Sequence, residues 1–110
     1  MMLKDQPTLQ DCQRFHRWLD KEKGFTGDLP TNVMLLVEEV GEVAKEVRRL
    51  RMWSASPDRA NDVAAARQRL QEELADCLAY IAKLANYADI DLERAYVDKM
   101  RVNVTRVWKE

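Results

Sequence analysis

Residues that break helices or cross-link chains are scarce in this sequence. It has three glycines and three prolines in 110 residues, and its two cysteines, Cys12 and Cys77, lack the CxxC spacing of zinc and redox sites. The longest uncharged run, Leu29–Val37, is nine residues long, whereas a membrane-spanning helix needs about 20 apolar residues. These shortages argue against a zinc site, a CxxC redox site and a transmembrane protein, and they favour a helical chain.

Charge of neither sign predominates. Eighteen Lys and Arg residues stand against 19 Asp and Glu residues, which gives a net charge of −1. The basic surface of a protein that binds large nucleic acids is therefore missing. The first eight residues contain Lys4, Asp5 and Pro7 instead of the apolar core of a secretory signal. We expect a cytoplasmic protein that has neither a membrane nor a large nucleic acid as partner.

Apolar residues recur at spacings of three and four along most of the chain, which predicts four helices. Their predicted limits are Thr8 to Lys21, Thr31 to Arg51, Val63 to Ala88 and Asp91 to Trp108. Between the second and third helices, Ser54 to Asp58 has the composition of a loop, and we expect irregular structure up to Asp62, either a flap or a simple connection. The connections are short, so we predict an all-α fold, an antiparallel four-helix bundle-like subunit in one domain, residues 1–110.

Acidic residues form pairs on two consecutive predicted helices. Glu39 and Glu42 are three residues apart on the second helix, where they project about 60° from each other. Glu73 and Asp76 repeat this spacing on the third helix, and Glu73 lies at the edge of the apolar stripe, where a purely solubilising glutamate is not expected. Several carboxylates held together need compensation, and a divalent cation supplies it.

The chemistry of these side chains indicates which cation they would hold. Carboxylate oxygens favour hard ions, Mg²⁺ or Mn²⁺, and Mg²⁺ takes further oxygens from substrate phosphates. A di-iron site in a helix bundle uses Glu-x-x-His motifs, but His16 is the only histidine here. The alternative is that the carboxylates are ordinary solvated helix charges, with Glu38 paired to a cation such as Lys45.

Basic and amide side chains share one predicted face of the last helix. Lys99, Asn103 and Arg106 fall within about 60° of one another on a helical wheel, on the apolar side of that helix. Charged and polar residues on the apolar side of a helix break its hydrophobic pattern, which marks a candidate phosphate site. The alternative for Lys99 and Arg106 is that their aliphatic side-chain carbons cover apolar surface while their charged groups reach water. The basic end of the second helix, from Lys45 to Arg51, suits either phosphate attraction or the helix dipole.

Three motifs together, Glu38-Glu39-x-x-Glu42, Glu73-x-x-Asp76 and Lys99-x-x-x-Asn103-x-x-Arg106, resemble the MazG-like family of all-α nucleoside triphosphate pyrophosphohydrolases. The resemblance implies Mg²⁺-dependent hydrolysis of a (d)NTP between the α and β phosphates, which yields the (d)NMP and pyrophosphate and cleanses the nucleotide pool. It also implies a homodimer or a dimer of dimers (homotetramer), with Mn²⁺ as a possible substitute for Mg²⁺.

The resemblance also assigns roles to individual residues. Glu39, Glu42, Glu73 and Asp76 would bind the metal, and Glu38 would touch a further metal or orient the attacking water, which makes Glu38 and Glu39 the candidate catalytic pair. Lys99, Asn103 and Arg106 would bind phosphates. Tyr80 and Trp18 are our candidates for contact with the base, although aromatic residues at such positions are more often part of a core or an interface.

Two other interpretations of the sequence remain open. The chain could be a non-catalytic helical dimerisation or adaptor module whose acidic and basic stripes pair across an interface. Alternatively, the same fold could act on phosphoribosyl-ATP or dUTP. Neither composition nor motif spacing decides among these substrates.

Overall fold

The structure of the chain, a computed structural model, describes residues 1–106. Four α-helices account for most of them: α1 Leu9–Lys23, α2 Leu29–Trp53, α3 Ala60–Tyr87 and α4 Leu92–Val104. Residues 1–106 contain no strand, so the predicted all-α class is confirmed. Within the same residues, no helix combines the length and apolar character that crossing a membrane requires.

The chain divides into two compact units, and α3 runs from one into the other. The first unit comprises Met1–Gly27 and the residues from Ala82 onward, and the second unit comprises Asp28–Ile81. The single domain over residues 1–110 therefore remains a prediction, and each unit is described by itself.

The limits of α1 follow from the residues at its two ends. Thr8 caps the helix through its hydroxyl, which accepts a hydrogen bond from the Asp11 amide at 3.0 Å, while the Asp11 carboxylate accepts one from the Thr8 amide at 3.0 Å. The helix continues two residues beyond the predicted end at Lys21, because Gly24 takes the left-handed conformation (φ 68°) that closes it.

The start of α2 was predicted too late. The helix begins at Leu29 rather than Thr31, because Asp28 takes the cap position and proline is compatible with a first turn. Pro30 therefore belongs to the first turn of the helix. Asn32, which is buried, donates a hydrogen bond from its side-chain amide to the Asp28 carbonyl at 2.7 Å.

The connection between α2 and α3 is shorter and more ordered than the sequence predicts. A single 3-10 turn, Pro57–Arg59, leads directly into α3 at Ala60, so the prediction of irregular structure up to Asp62 is wrong. The alanine-rich start of α3 has high helix propensity, and Arg59 is paired with Asp62 across the junction. Arg59 also lies over the ring of Trp53, 4.6 Å from its centroid.

The beginning of α4 agrees with the prediction, and its end does not. Asp91 caps the helix by accepting a hydrogen bond from the Arg94 amide at 3.1 Å. The helix ends at Val104, with Thr105 as its last cap. The predicted end at Trp108 lies outside the described residues.

The first unit is held together around one buried glutamine. Gln13 of α1 donates hydrogen bonds to the Asn86 side chain at 3.1 Å and to the Ile90 carbonyl at 2.8 Å, and it accepts one from the Leu92 amide at 2.9 Å. This one side chain therefore connects α1 to the end of α3 and to the start of α4. The short loop between α3 and α4 is fixed by the same bonds.

The second unit is a hairpin of two antiparallel helices, α2 and α3. Glu46 on α2 contacts Arg69 on α3, and the earlier Glu39 lies beside the later Glu73 and Asp76, so residue numbers rise along one helix as they fall along the other. Glu46 is almost fully buried and accepts hydrogen bonds from Arg69 at 3.1 and 3.2 Å and from Arg49. This charged contact fixes the register of the two helices.

Candidate active site

Three of the predicted metal ligands meet within the second unit. Glu39 projects from α2, and Glu73 and Asp76 project from α3 one helical turn apart. Each offers a carboxylate oxygen, and the three oxygens lie within 4.8 Å of one another. We call these residues the carboxylate cluster. The antiparallel register set by Glu46 brings the two acidic helix segments to the same level.

Glu39 occupies an environment that does not suit a carboxylate without a cation. Its Oε2 atom is buried and has no hydrogen-bond partner among the described residues. The pKa of the Glu39 carboxyl is raised from 4.5 to about 7, first because its protonated form can share a hydrogen bond with Glu73, and then because of burial and the charges of Glu73, Asp76 and Glu42. A proton or a metal ion would neutralise this cluster, and at neutral pH the proton is only partly present.

Two neighbouring side chains experience the same negative potential. Burial raises the pKa of the Cys77 thiol, and the charges of all three members of the carboxylate cluster raise it further. Burial likewise raises the pKa of the Tyr80 hydroxyl, followed by the charges of Glu39, Asp76 and Glu38. Tyr80, a predicted substrate contact, therefore lies on the same side of α3 as the carboxylates.

The residues present fit a hard divalent cation. The cluster offers oxygen ligands only, one of them an orphaned buried oxygen, and such donor sets favour Mg²⁺ or Mn²⁺ over softer metals. Glu39 and Glu73 are half-buried whereas Asp76 is exposed. The cluster is thus anchored in the hairpin on one side and open to solvent on the other, which leaves positions for water and substrate oxygens.

The two other glutamates of the first motif have different surroundings. Glu42 pairs with Lys45, at 2.7 Å between carboxylate oxygen and Nζ, and does not join the three clustered oxygens, although its charge reaches Glu39. Glu38 is exposed, and its charge acts on Tyr80. Their assignments as metal ligand and as catalytic residue remain predictions.

The predicted basic stripe belongs to the first unit and is only partly a helical face. Lys99 and Asn103 lie on α4, where Lys99 is exposed and Asn103 is half-buried, with its amide 3.8 Å from the sulfur of Met100. Arg106 lies two residues beyond the end of α4 and is exposed. The prediction that all three share one helical face is wrong, because that periodicity ends at Val104.

Trp18, the other predicted base contact, is a half-buried residue of α1. Its ring lies 6.0 Å from that of Phe15 in a tilted arrangement. This contact within the helix agrees with the alternative that we gave for it, a role in packing. A contact with the base remains a prediction.

Sequence reasoning missed the role of Glu46. It follows Glu39 by seven residues on α2, so it extends the acidic face of that helix, and this spacing was the available signal. Part of the basic end of α2 is explained in the same way, because Arg49 neutralises Glu46 and Lys45 neutralises Glu42. For these two cations, pairing with glutamates is thus a third role beside the two earlier alternatives.

Comparison with known proteins agrees with this arrangement. The MazG nucleotide pyrophosphohydrolase domain matches residues 28–107, which include α2, α3 and α4. The protein named dCTP pyrophosphatase 1 from Rattus norvegicus is 36% identical over 105 residues, which make up 92% of this chain and 59% of the rat protein. The human protein of the same name is also 36% identical, over the same shares of both chains.

The chain matches a larger fraction of the length of a bacterial relative. The uncharacterized protein YvdC from Bacillus subtilis is 31% identical over 97 residues, which make up 84% of this chain and 92% of YvdC. In contrast, the chain spans about three-fifths of the length of the mammalian relatives. The domain match covers all of the acidic and basic motifs, and on this basis the chain belongs to the MazG nucleotide pyrophosphohydrolase domain family.

Proposed function

We propose that this chain is a Mg²⁺-dependent nucleotide pyrophosphohydrolase that cleaves a (d)NTP between its α and β phosphates. The products would be the (d)NMP and pyrophosphate, and the role would be the removal of unwanted nucleotides from the pool. The observation that carries the proposal is the carboxylate cluster, in which two helices bring three carboxylates together and leave one buried oxygen without a partner. Membership of the family supports the same reaction.

The proposed ligands of Mg²⁺ are Glu39, Glu73 and Asp76, with Glu42 as a fourth once it leaves Lys45. Mg²⁺, or Mn²⁺ in its place, would polarise the phosphate oxygens and lower the pKa of a bound water. Glu38 is exposed on the same helix, so its carboxylate is free to orient the attacking water and accept its proton. Tyr80 lies within the electric field of the cluster, which supports its proposed contact with the substrate.

The proposed substrate is a deoxycytidine nucleotide, because the two mammalian relatives are named dCTP pyrophosphatase 1. We also propose that Lys99, Asn103 and Arg106 bind its phosphates and that Trp18 contributes to the base contact. Lys99 and Arg106 are exposed cations, which supports a role in binding a polyanionic substrate. The same fold acting on dUTP or phosphoribosyl-ATP would appear as a different substrate ranking.

The reaction is tested by incubating the protein with each NTP and dNTP, with phosphoribosyl-ATP, and with Mg²⁺, Mn²⁺ or EDTA, and separating the products. We expect dCMP and pyrophosphate from dCTP, formed with either metal and absent in EDTA. Hydrolysis in ¹⁸O-labelled water identifies the attacked phosphorus, and we expect the label in dCMP. Release of inorganic phosphate would contradict the proposed bond cleavage, and absence of turnover of every substrate would favour the adaptor module.

Variants connect the activity to the carboxylate cluster. Glu73→Gln and Asp76→Asn each remove a proposed metal ligand while changing the volume of the side chain little, and we expect at least a 100-fold loss of turnover. Glu72→Gln is the matched control, because Glu72 is the exposed neighbour of Glu73 and contacts only Gln68 among the bonds described. Equal losses in Glu72→Gln and Glu73→Gln would contradict the assignment.

We further propose that the protein acts as a homodimer or homotetramer in the cytoplasm. The large apolar side chains that α2 and α3 expose support association between copies. Sedimentation velocity over a range of concentrations tests this part independently of the enzymatic assay. A monomer at every concentration would contradict it and would leave the proposed reaction unaffected.

A further inference from the structure

Four charged side chains of α2 form a row beside the carboxylate cluster. They are spaced i, i+4, i+7 and i+11 along the helix, which places them on one face. We call this set the charged row, and its members are Glu38, Glu42, Lys45 and Arg49. The row is turned by about 80° from the direction of Glu39, in the sense in which Asp76 is turned on α3. Because the two helices are antiparallel, the charged row borders the cluster on the side where Asp76 is exposed.

The two cations of the charged row are held by partners of different kinds. Arg49 pairs with Glu46, whose side chain is 1% exposed and is also bonded to Arg69. Lys45 pairs with Glu42, at 2.7 Å between Nζ and Oε2, and these two side chains are 41% and 48% exposed. Breaking a buried pair leaves an uncompensated buried charge, whereas an exposed pair is held weakly. Lys45 is therefore the cation of the row that changes partner more easily.

Glu42 has a second partner within reach of its charge. It follows Glu39 at the i,i+3 spacing that Glu73 and Asp76 share on α3, and its charge already acts on the Glu39 carboxyl. A divalent cation has twice the charge of an ammonium group and binds carboxylate oxygens directly. A metal ion in the carboxylate cluster therefore competes with Lys45 for the Glu42 carboxylate.

The proposed substrate needs a cation besides the metal. A triphosphate adds several negative charges to a site that is already acidic, and the predicted phosphate ligands on α4 belong to the first unit. Lys45 belongs to the same unit as the cluster and follows Glu42 by about 4.5 Å along the axis of α2. Its flexible four-carbon stem spans such a distance, and an ammonium group is a common partner of phosphate oxygens.

We propose that Lys45 is a further phosphate ligand, which Glu42 holds until a metal ion is bound. When the Glu42 carboxylate turns to the metal, the Lys45 ammonium group is released and binds an oxygen of the triphosphate chain. The inference rests on the proposed metal site and reaction, and it adds to them a residue that links metal binding to substrate binding. The release of Lys45 makes the two binding events favour each other, and this coupling is reciprocal.

This exchange predicts effects of opposite sign when the ammonium group is removed. Lys45→Gln keeps the helix propensity of the residue and removes its charge. Without the competing ion pair, the metal-free protein should bind Mg²⁺ about two- to fivefold more tightly, which corresponds to the usual strength of an exposed pair. Without the phosphate contact, the Mg²⁺-loaded protein should bind triphosphate about 10-fold more weakly.

Isothermal titration calorimetry measures both affinities without turnover. The first titration adds Mg²⁺ to the metal-free protein, and the second adds inorganic triphosphate to the protein in saturating Mg²⁺. Arg48→Gln is the matched control, because Arg48 is exposed, contacts only the sulfur of Met52 among the bonds described, and is turned by about 90° from the charged row. We expect Arg48→Gln to change each affinity less than twofold, and Lys45→Arg to retain the binding of triphosphate.

A second background tests whether Lys45 acts through Glu42. Glu42→Gln removes the shared carboxylate and leaves the three carboxylates of the cluster, so it should bind Mg²⁺ more weakly. In this background Lys45→Gln should no longer tighten Mg²⁺ binding, because no ion pair remains to be broken. The same gain with and without Glu42 would show that Lys45 acts only through its long-range charge and would overturn the exchange.

The remaining outcomes separate this inference from the proposed function. Equal effects of Lys45→Gln and Arg48→Gln, or an unchanged affinity of Lys45→Gln for triphosphate, would overturn the inference and leave the metal site and the reaction standing. An unmodified protein that does not bind Mg²⁺ would overturn the proposed metal site and this inference together. Circular dichroism confirms that each variant is folded, as expected for exchanges of exposed side chains.

Discussion

Replacing Glu39 with glutamine should have opposite effects on stability with and without metal. The Glu39 carboxylate is half-buried against Glu73 and Asp76, so its charge opposes folding unless a cation is present. Glutamine keeps nearly the same volume and helix propensity and removes the charge. We therefore expect Glu39→Gln to stabilise the protein in EDTA and to abolish the stabilisation that Mg²⁺ gives the unmodified protein.

The distances within the carboxylate cluster set the size of the stabilisation expected for Glu39→Gln in EDTA. Two unit charges 4.8 Å apart repel each other by about 0.9 kcal/mol at the dielectric constant of water and by about 3.5 kcal/mol at an effective value of 20. Asp76 is exposed, so the lower figure applies best, and loss of two repulsions stabilises by about 2 kcal/mol. For a chain of this size, that corresponds to a melting temperature higher by about 6 to 12 °C.

Mg²⁺ should make the unmodified protein more stable than Glu39→Gln, the reverse of their order in EDTA. A ligand at 100 times its dissociation constant stabilises the folded state by about 2.7 kcal/mol, and only the unmodified protein keeps the full set of ligands. The assay is thermal unfolding at pH 8 in EDTA and in a Mg²⁺ series, with Glu72→Gln as control. A Glu39→Gln protein that melts below the unmodified protein in EDTA, or that responds equally to Mg²⁺, would refute the electrostatic reasoning.

The other predictions concern pH, the buried contact and the glycines. In EDTA the Glu39 carboxyl has a pKa of about 7 in the folded protein, whereas its ordinary value in the unfolded chain is 4.5. The free energy of unfolding should therefore fall as pH rises from 4.5 to about 7. Denaturant titrations should show this fall in the unmodified protein and not in Glu39→Gln. Burial acts to raise the pKa of Glu46, but hydrogen bonds from Arg69 and Arg49 outweigh it and the pKa is lowered. The stability from Glu46 should thus be present above pH 4.5 and be lost in acid, and Glu46→Gln should melt several degrees lower at pH 7 with a flatter acid profile. Gly24→Ala should destabilise the protein by about 1 kcal/mol in urea unfolding, because the φ angle of Gly24 is 68°. Gly41→Ala should stabilise it by about 0.5 to 1 kcal/mol, because Gly41 lies in mid-helix with open space around it. Effects of the same sign in the two variants would contradict this account.

The sequence was sufficient to predict the four helices but not their ends. Apolar periodicity extends over many residues and identifies each helix, whereas an end depends on one or two capping residues. Asp28 and Pro30 start α2 at Leu29, two residues before the predicted start at Thr31. The first three residues of α3, Ala60–Asp62, had no periodic apolar signal. Arg106 was assigned to a helical face because nothing in the sequence around Val104 indicates that α4 ends there.

The carboxylate cluster was predictable because its two halves have a fixed spacing within their own helices. An i,i+3 pair lies on one face wherever the helix packs, and Glu73 at the edge of the apolar stripe indicated which way that pair would turn. Glu42 was assigned to the same group from spacing alone, whereas in the structure Lys45 holds it. The competition between a neighbouring cation and a distant carboxylate depends on rotamers, which a sequence pattern does not contain.

The burial of a charged residue and the exposure of apolar ones both depend on contacts between helices. Glu46 is buried because Arg49 and Arg69 reach it from two helices, and nothing in its local sequence distinguishes it from a surface glutamate. The valines of α2 followed one apolar rhythm in the sequence, but their stripe is too wide for one partner helix to cover. Part of it faces α3, and the remainder is exposed.

The two sides of the hairpin therefore have complementary physical needs. On one side, like charges are held close together, and a proton or a cation would neutralise them. On the other side, large apolar side chains are exposed. The buried contact of Glu46 with Arg69 lies between these sides and fixes the register on which both depend. If register is its role, Glu46→Gln should weaken Mg²⁺ binding as well as stability, although residue 46 is about two helical turns from Glu39. Titration of Mg²⁺ against the folded variant measures this, and unchanged affinity would show that the helices keep their register without the charged contact.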